Sequence, residues 1–227
     1  MSEAAQNNQP EITIVNTGIA NTASVVAAFG RLGVACEITD DAASIRRAGV
    51  LVLPGVGSFG AGMQRLTTCG LVGPLRERIE SVRPTLAVCL GLQLLGAQSE
   101  ESPGVTGLGV IDRSATHFPE SVRTPQFGWN KVEPSEGFGL ASTGYAYFAN
   151  SYRLTECPEG WSPAWSEHGG PFIAAMRRGN LLACQFHPEL SGLWGLGLLS
   201  AWLNSCGVET MSVPSVASVN QNGAKAC

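Results

Sequence analysis

Apolar residues along this chain follow two different rhythms. In roughly the first hundred positions, short apolar runs alternate with stretches whose apolar residues recur every three or four positions. "EITIVN" predicts a first strand. Asn21 is placed to cap the helix "TASVVAAFGRL", and Gly33 to end it. "VACEI" predicts a second strand, and Asp40 and Asp41 precede a short helical stretch around "AASIRRA". "GVLVLP" is apolar on both faces, as a central parallel strand must be. Two helical stretches follow over about 59–82, and Pro84 precedes the fourth strand, "TLAV". Strands alternating with helices in this way predict an α/β fold, a mostly parallel sheet with helices on both faces. The second half reads differently. "GWNKVEP", "YAYFANSY", "FIAAMRRG" and "NLLACQF" predict strands joined by turns, an antiparallel or mixed extension of the sheet, and a last helix runs from about Leu193 to Asn204.

The ends lack either rhythm. Residues 1–10, "MSEAAQNNQP", are polar and predict a disordered N-terminus, without the positive start and apolar core of a signal peptide. After about Cys206 the chain is rich in Ser, Val, Asn and Ala, which predicts a flexible tail over 207–227 and one domain over 11–206. The 227 residues carry a formal net charge of -4 and no basic block, which argues against nucleic acid or an anionic membrane as partner. The apolar stretch "GLWGLGLLSAWL" is too short to span a bilayer. Seven cysteines form no close pairs of the kind that bind metal and no disulfide framework; they predict reduced thiols, a cytoplasmic location and no metal site.

One cysteine stands apart. In "LAVCLGLQLLG" (86–96), Cys89 sits where the fourth strand gives way to a helix. In an open parallel sheet, ligands collect at the carboxyl ends of the strands, so this junction points the sulfur at the ligand. The N-terminus of a helix favours a thiolate, and Gly91 permits a tight turn there. That is the logic of a nucleophile elbow, although most single cysteines in such a chain are plain core residues. A thiol nucleophile needs a base, and the base an orienter. His117 and His168 lie in polar, loop-like contexts and read as solvated. His187, in "LLACQFHPELSG", lies just past an apolar strand; Glu189, two residues on, falls on the same side of an extended chain. By itself this pair is as compatible with a surface glutamate beside a strand-end histidine. The third piece is "LPGVGSFG" (53–60), whose Gly55, Val56 and Gly57 can aim backbone N–H groups at a ligand or form a turn of no chemical consequence. No Gly-Lys-Ser/Thr follows, so it is not a phosphate loop.

Together, "PGVGSFG", "AVCLGLQLL" and "QFHPE", in that order, resemble the class I (triad) glutamine amidotransferases over about residues 11–206. Within that group, "PQFGWNKVE" and "YAYFANSYR" are most similar to the glutaminase subunits of imidazole glycerol phosphate synthases. The resemblance implies a flavodoxin-like fold, no cofactor, and a substrate, glutamine, hydrolysed to glutamate and ammonia. It implies Cys89 as nucleophile forming a glutamyl thioester, His187 as base and then acid, and Glu189 as its orienter. It further implies an oxyanion hole from the N–H of Leu90 and one from Gly55–Gly57, and substrate contacts at Gln93, Ser151 and Tyr152. The ammonia would pass to a partner cyclase, a (β/α)8 barrel, in a heterodimer that serves histidine biosynthesis.

Four positions depart from the family's usual pattern: Thr17 where Tyr is common, Ala20 where Gly is, Asn150 where His is, and Leu190 where Lys is. None is expected to touch the triad, which leaves the glutaminase chemistry intact. Leu190 and the first loop are expected on the partner-facing rim. Other readings are a glutaminase feeding another synthase, such as one for surface sugars, a cysteine peptidase on a similar sheet, and a non-catalytic regulatory module. Gln93 and His-Pro-Glu speak against the peptidase, and the intact Cys–His–Glu set against the regulatory module.

Overall fold

The structure is a computed structural model that describes residues 11–18 and 21–214. Residues 1–10, 19–20 (with Ala20) and 215–227 therefore lie outside the described part. The strands are β1 (Ile12–Val15), β2 (Cys36–Thr39), β3 (Val50–Gly55), β4 (Thr85–Cys89), β5 (Thr116–His117), β6 (Gln126–Pro134), β7 (Gly144–Asn150), β8 (Tyr152–Arg153), β9 (Ser162–Glu167), β10 (Pro171–Arg178) and β11 (Leu181–Cys184). The helices are α1 (Thr22–Arg31), α2 (Ala42–Arg47), α3 (Phe59–Thr68), α4 (Val72–Glu80), α5 (Leu90–Leu94) and α6 (Gly192–Ser205), with a 3-10 turn over Pro188–Leu190.

Nine strands form one sheet in the order β2-β1-β3-β4-β11-β10-β9-β6-β7. The pairings from β2 through β11 are parallel, and those from β11 through β7 antiparallel. The expected parallel sheet with a mixed extension is thus observed. Side chains alternate between its faces. Val50, Val52, Leu86, Val88 and Leu182 point to the layer of α1 and α6, while Leu51, Leu53, Ala87, Leu181 and Ala183 point to the layer of α2–α5. Every residue of β3 and β4 is buried, because helices cover both faces. The caps follow the sequence: Asn21 Oδ1 accepts from the Ser24 N–H, Asp41 Oδ2 from the Ser44 N–H, and Gly33 leaves α1 at φ 78°.

Two features differ from the sequence expectation. Strand β9 is not expected, because "SPAWSE" carries Pro163 and three polar residues; it forms by pairing with β10 and β6. The tail does not begin at 207. Residues 207–214 lie along α1 and α6: the Met211 N–H donates to the Leu32 carbonyl at 2.9 Å, Thr210 and Ser200 hydroxyls meet at 2.6 Å, and Val208 and Val213 pack on the core. The flexible-tail expectation is corrected for these residues, whose valines find apolar surface that the sequence does not reveal.

Arg78 on α4 is buried with no carboxylate partner among the described residues. Its guanidinium donates to the carbonyls of Ala48, Gly49 and Pro84 and to the Thr85 hydroxyl, at 2.7 to 3.0 Å. It thereby ties the starts of β3 and β4 together. Burial, with the nearby Arg83 charge, lowers its pKa to about 10, which leaves it cationic at neutral pH.

Candidate active site

The parallel register of β3 and β4 ends on the pair Gly55 and Cys89. The carboxyl ends of both strands therefore open side by side, and Cys89 stands at the top of one of them. Its backbone has φ 54° and ψ −111°, a region L-residues seldom occupy. Such a conformation costs about 1–3 kcal/mol and persists only where the surroundings impose it. Two glycines show how they do. A Cβ on Gly91 would run into the carbonyl oxygen of Leu53, and a Cβ on Gly55 would lie 2.9 Å from that of Leu90. The turn is thus pressed against β3. Helix α5 has only five residues, so its macrodipole is small and its local free N–H groups matter more. Gly57 has φ 91°, the positive value that glycine tolerates, whereas Gly55 is held in β3.

His187 arrives from the other side of the sheet, three residues beyond β11. Its N–H donates to the Tyr147 carbonyl at 2.9 Å. The Ser191 hydroxyl donates to the His187 carbonyl at 2.6 Å and accepts from the Tyr147 N–H at 2.9 Å. The 3-10 turn that follows His187 carries Glu189, and His187 Nδ1 meets Glu189 Oε1 at 2.8 Å with both residues buried. The imidazole has its pKa raised to about 10. Burial, the largest influence, lowers it, but the hydrogen bonds and charges of Cys89 and Glu189 together outweigh burial. The second carboxylate oxygen, Oε2, has no partner among the described residues.

Cys89 and His187 line one cavity of about 230 Å³ with Val56, Gly57, Leu90, Gln93, Ser151 and Tyr152. Cys89 and His187 meet there from separate elements, and Glu189 stands behind His187. Of the expected catalytic, oxyanion and substrate-contacting residues, Glu189 and Gly55 do not reach the cavity wall; each supports a residue that does. A thiol beside a carboxylate-bound imidazole, with a glycine loop and a free helix N–H nearby, is equipped for acyl transfer from an amide or ester.

Other residues at the site are not apparent from the sequence. Gln185 is fully buried, with its amide between Gln93 and Cys89. The signal is one polar residue inside an apolar run, two before His187. Asn150 lines the cavity itself; its Nδ2 donates to the Tyr152 carbonyl at 3.0 Å, and its Oδ1 is buried without a partner among the described residues. Glu101 also lines the cavity, with Oε2 accepting from the Phe59 N–H at 2.6 Å. His117 is exposed, as expected. His168 is only half-exposed, because its ring packs edge-on against Phe118 at 4.8 Å. Leu190 is 41% exposed, and Thr17 is buried. Among the described residues no cluster of His, Cys, Asp or Glu has the makings of a metal site, and no helix is long and apolar enough to cross a membrane.

Comparison with known proteins bears on the family and the fold. The family model for glutamine amidotransferase class-I matches residues 13–194. An imidazole glycerol phosphate synthase subunit HisH from Symbiobacterium thermophilum is 40% identical over 195 residues, 84% of this chain and 92% of its own length. The protein of the same name from Deinococcus radiodurans is 39% identical over 207 residues, 88% of this chain and 96% of its own. Among solved structures, a glutamine amidotransferase superposes with a TM-score of 0.71 at 20% identity, covering 87% of this chain and 99% of that one. A chain of PurLQS from Thermotoga maritima has a TM-score of 0.65 at 16% identity, covering 86% and 98%. At that identity the two structures speak to the fold alone, but the family match and the curated relatives extend over most of the sequence, and the chain belongs to the class I glutamine amidotransferase family.

Proposed function

We propose that this chain is the glutaminase subunit of an imidazole glycerol phosphate synthase, acting in the cytoplasm beside a (β/α)8-barrel cyclase. The observation that carries the reading is the buried His187–Glu189 pair facing Cys89 across one cavity, in a chain about 40% identical to subunits of that name.

The reaction follows from the positions of the groups. The Cys89 proton passes to His187, and the sulfur lone pair forms a C–S bond to the side-chain amide carbon of glutamine. The carbonyl π pair moves to oxygen, where the Leu90 N–H and an N–H of the Val56–Gly57 loop receive it. As the tetrahedral carbon collapses, its C–N bond breaks and nitrogen takes the proton from His187, leaving as ammonia. Water, deprotonated by the same imidazole, then attacks the thioester and expels the Cys89 thiolate as glutamate forms. Glu189 keeps the imidazole oriented and balances its charge. Gln93, Ser151 and Tyr152 hold glutamine, with the Gln93 oxygen facing the substrate because its amide nitrogen is engaged by protein acceptors.

The partner's place is suggested by exposed apolar surface on the β6–β7 ribbon next to the site. Phe127 is 71% exposed, Trp129 58% and Tyr145 60%, and Leu190 adds to them. Exposed aromatics so close together mark a protein-binding surface. The ammonia needs an acceptor site, and the cyclase supplies it. Glutamate release from the chain alone, with the cyclase, and with cyclase and its nucleotide substrate tests the proposal; release indifferent to both additions would refute the assignment to this synthase.

A further inference from the structure

We propose that Gln185 is a catalytic residue whose side-chain N–H donates to the Cys89 sulfur and stabilises it as a thiolate. The inference rests on the reading of Cys89 as the nucleophile. Gln185 Nε2 lies 3.9 Å from Cys89 Sγ, within the range of a hydrogen bond to sulfur. Its Oε1 accepts from Gln93 Nε2 at 3.1 Å, and Gln93 Nε2 also donates to the Tyr152 carbonyl at 3.0 Å.

That chain of contacts fixes which end of the amide meets the sulfur. A backbone carbonyl only accepts, so Gln93 must turn its nitrogen toward Tyr152. The other proton on that nitrogen then requires an acceptor, which is Gln185 Oε1. The Gln185 nitrogen is left facing Cys89, and rotating the amide by half a turn would bring two donors together. Asn150 Nδ2 donates to the same Tyr152 carbonyl, which anchors the relay a second time.

Burial points the same way. Gln185 is 0% exposed, inside a run where a leucine would fill the space without desolvating an amide. So does position. Gln185 and His187 lie two residues apart on the bent segment that follows β11, so the same stretch of chain brings both to the sulfur. A donor to an anionic acceptor forms a stronger hydrogen bond than one to a neutral thiol, so the contact favours the ionised sulfur. It also favours thiolate as leaving group when the thioester is hydrolysed. No proton moves through Gln185: the thiol proton goes to His187 and leaves with ammonia, and the amide keeps both of its own.

Two variants of the full chain separate a donor from a mere support for Gln93. Gln185→Glu keeps an oxygen for Gln93 to donate to but replaces the N–H at the sulfur. Gln185→Met keeps the shape and loses both ends. Alkylation of the Cys89 peptide by iodoacetamide at pH 7, followed by mass spectrometry, reads thiolate reactivity without glutamine. We expect it to be about tenfold slower in each variant that retains the wild-type unfolding midpoint, with kcat lower by about ten- to a hundredfold. KM for glutamine should stay within about threefold in Gln185→Glu, because Gln93 remains anchored. Should either variant fail to fold, the other decides. Alkylation as fast as wild type in a folded Gln185→Glu protein would overturn the proposal and leave Gln185 a support for Gln93. Wild-type Cys89 reacting no faster than the other cysteines would overturn the nucleophile reading beneath it.

Discussion

His187 Nδ1 and Glu189 Oε1 lie 2.8 Å apart, in residues only 7% and 8% exposed. Two residues apart in the sequence, they are held in that contact by a 3-10 turn rather than by an extended strand, and Ser191 pins the start of the turn to β7. The pair fixes which ring nitrogen faces the sulfur, and it bears directly on stability.

The folded His187 pKa of about 10 exceeds the 6.5 of an ordinary histidine. A group raised in this way contributes stability fully below about pH 6.5, and loses it as pH climbs toward 10. The contribution is on the order of a few kcal/mol. Urea unfolding of wild type and His187→Gln at pH 6, 8 and 10 should show a stability difference that shrinks with each step. A constant difference would mean that the imidazole is not held as a cation.

Replacement of Cys89 separates chemistry from backbone strain. Cys89→Ser should lose at least about a thousandfold in glutamine hydrolysis while keeping the fold. Cys89→Gly and Cys89→Ala should be equally inactive, yet glycine should be the more stable by about 1–2 kcal/mol, because it accepts φ 54° without strain. Chemical denaturation of the two variants measures that difference directly.

His187→Ala should be far more damaging to kcat than Glu189→Gln, since one removes the base and the other only its orienter. Equal, mild losses in steady-state kinetics would redirect the search to His117 or His168.

Gly91→Ala should cost about 3 kcal/mol or more, because its methyl group meets the Leu53 carbonyl of a strand that cannot move away. Gly73→Ala on α4, with open space around it, should cost nothing or stabilise slightly. Thermal unfolding of both variants is the check.

Trp129→Ala should weaken cyclase binding by about 2 kcal/mol, roughly thirtyfold, if the exposed ribbon is the docking surface. Titration calorimetry against the barrel protein reads this, and unchanged affinity would move the interface elsewhere.

Much of this site can be read in the sequence, for a physical reason. The position of Cys89 follows from where an apolar strand stops, and that of His187 from the strand that Pro188 closes. Both signals are local. What the sequence conceals depends on long-range packing. Arg78 sits in "LRERIE", inside a stretch the sequence predicts only as helical, and it takes carbonyls from the approaches to two strands to make it a core residue. Strand β9 exists because β10 and β6 offer it partners. Gln185 reads as an interruption in a strand until Gln93, from another helix, accounts for its amide.

Arg78 also links the site to the opposite end of the central strands. β3 and β4 carry Gly55 and Cys89 at one end and share this guanidinium at the other, about 15 Å away at the rise of a strand. Two parallel strands clamped at their origins keep their relative register along their whole length. Loosening the clamp lets that error accumulate toward the top, where the oxyanion loop and the nucleophile must agree to within a fraction of an ångström. Arg78→Met would then yield a heat-sensitive enzyme, one that folds in the cold with every reacting group present and loses turnover on warming before it unfolds.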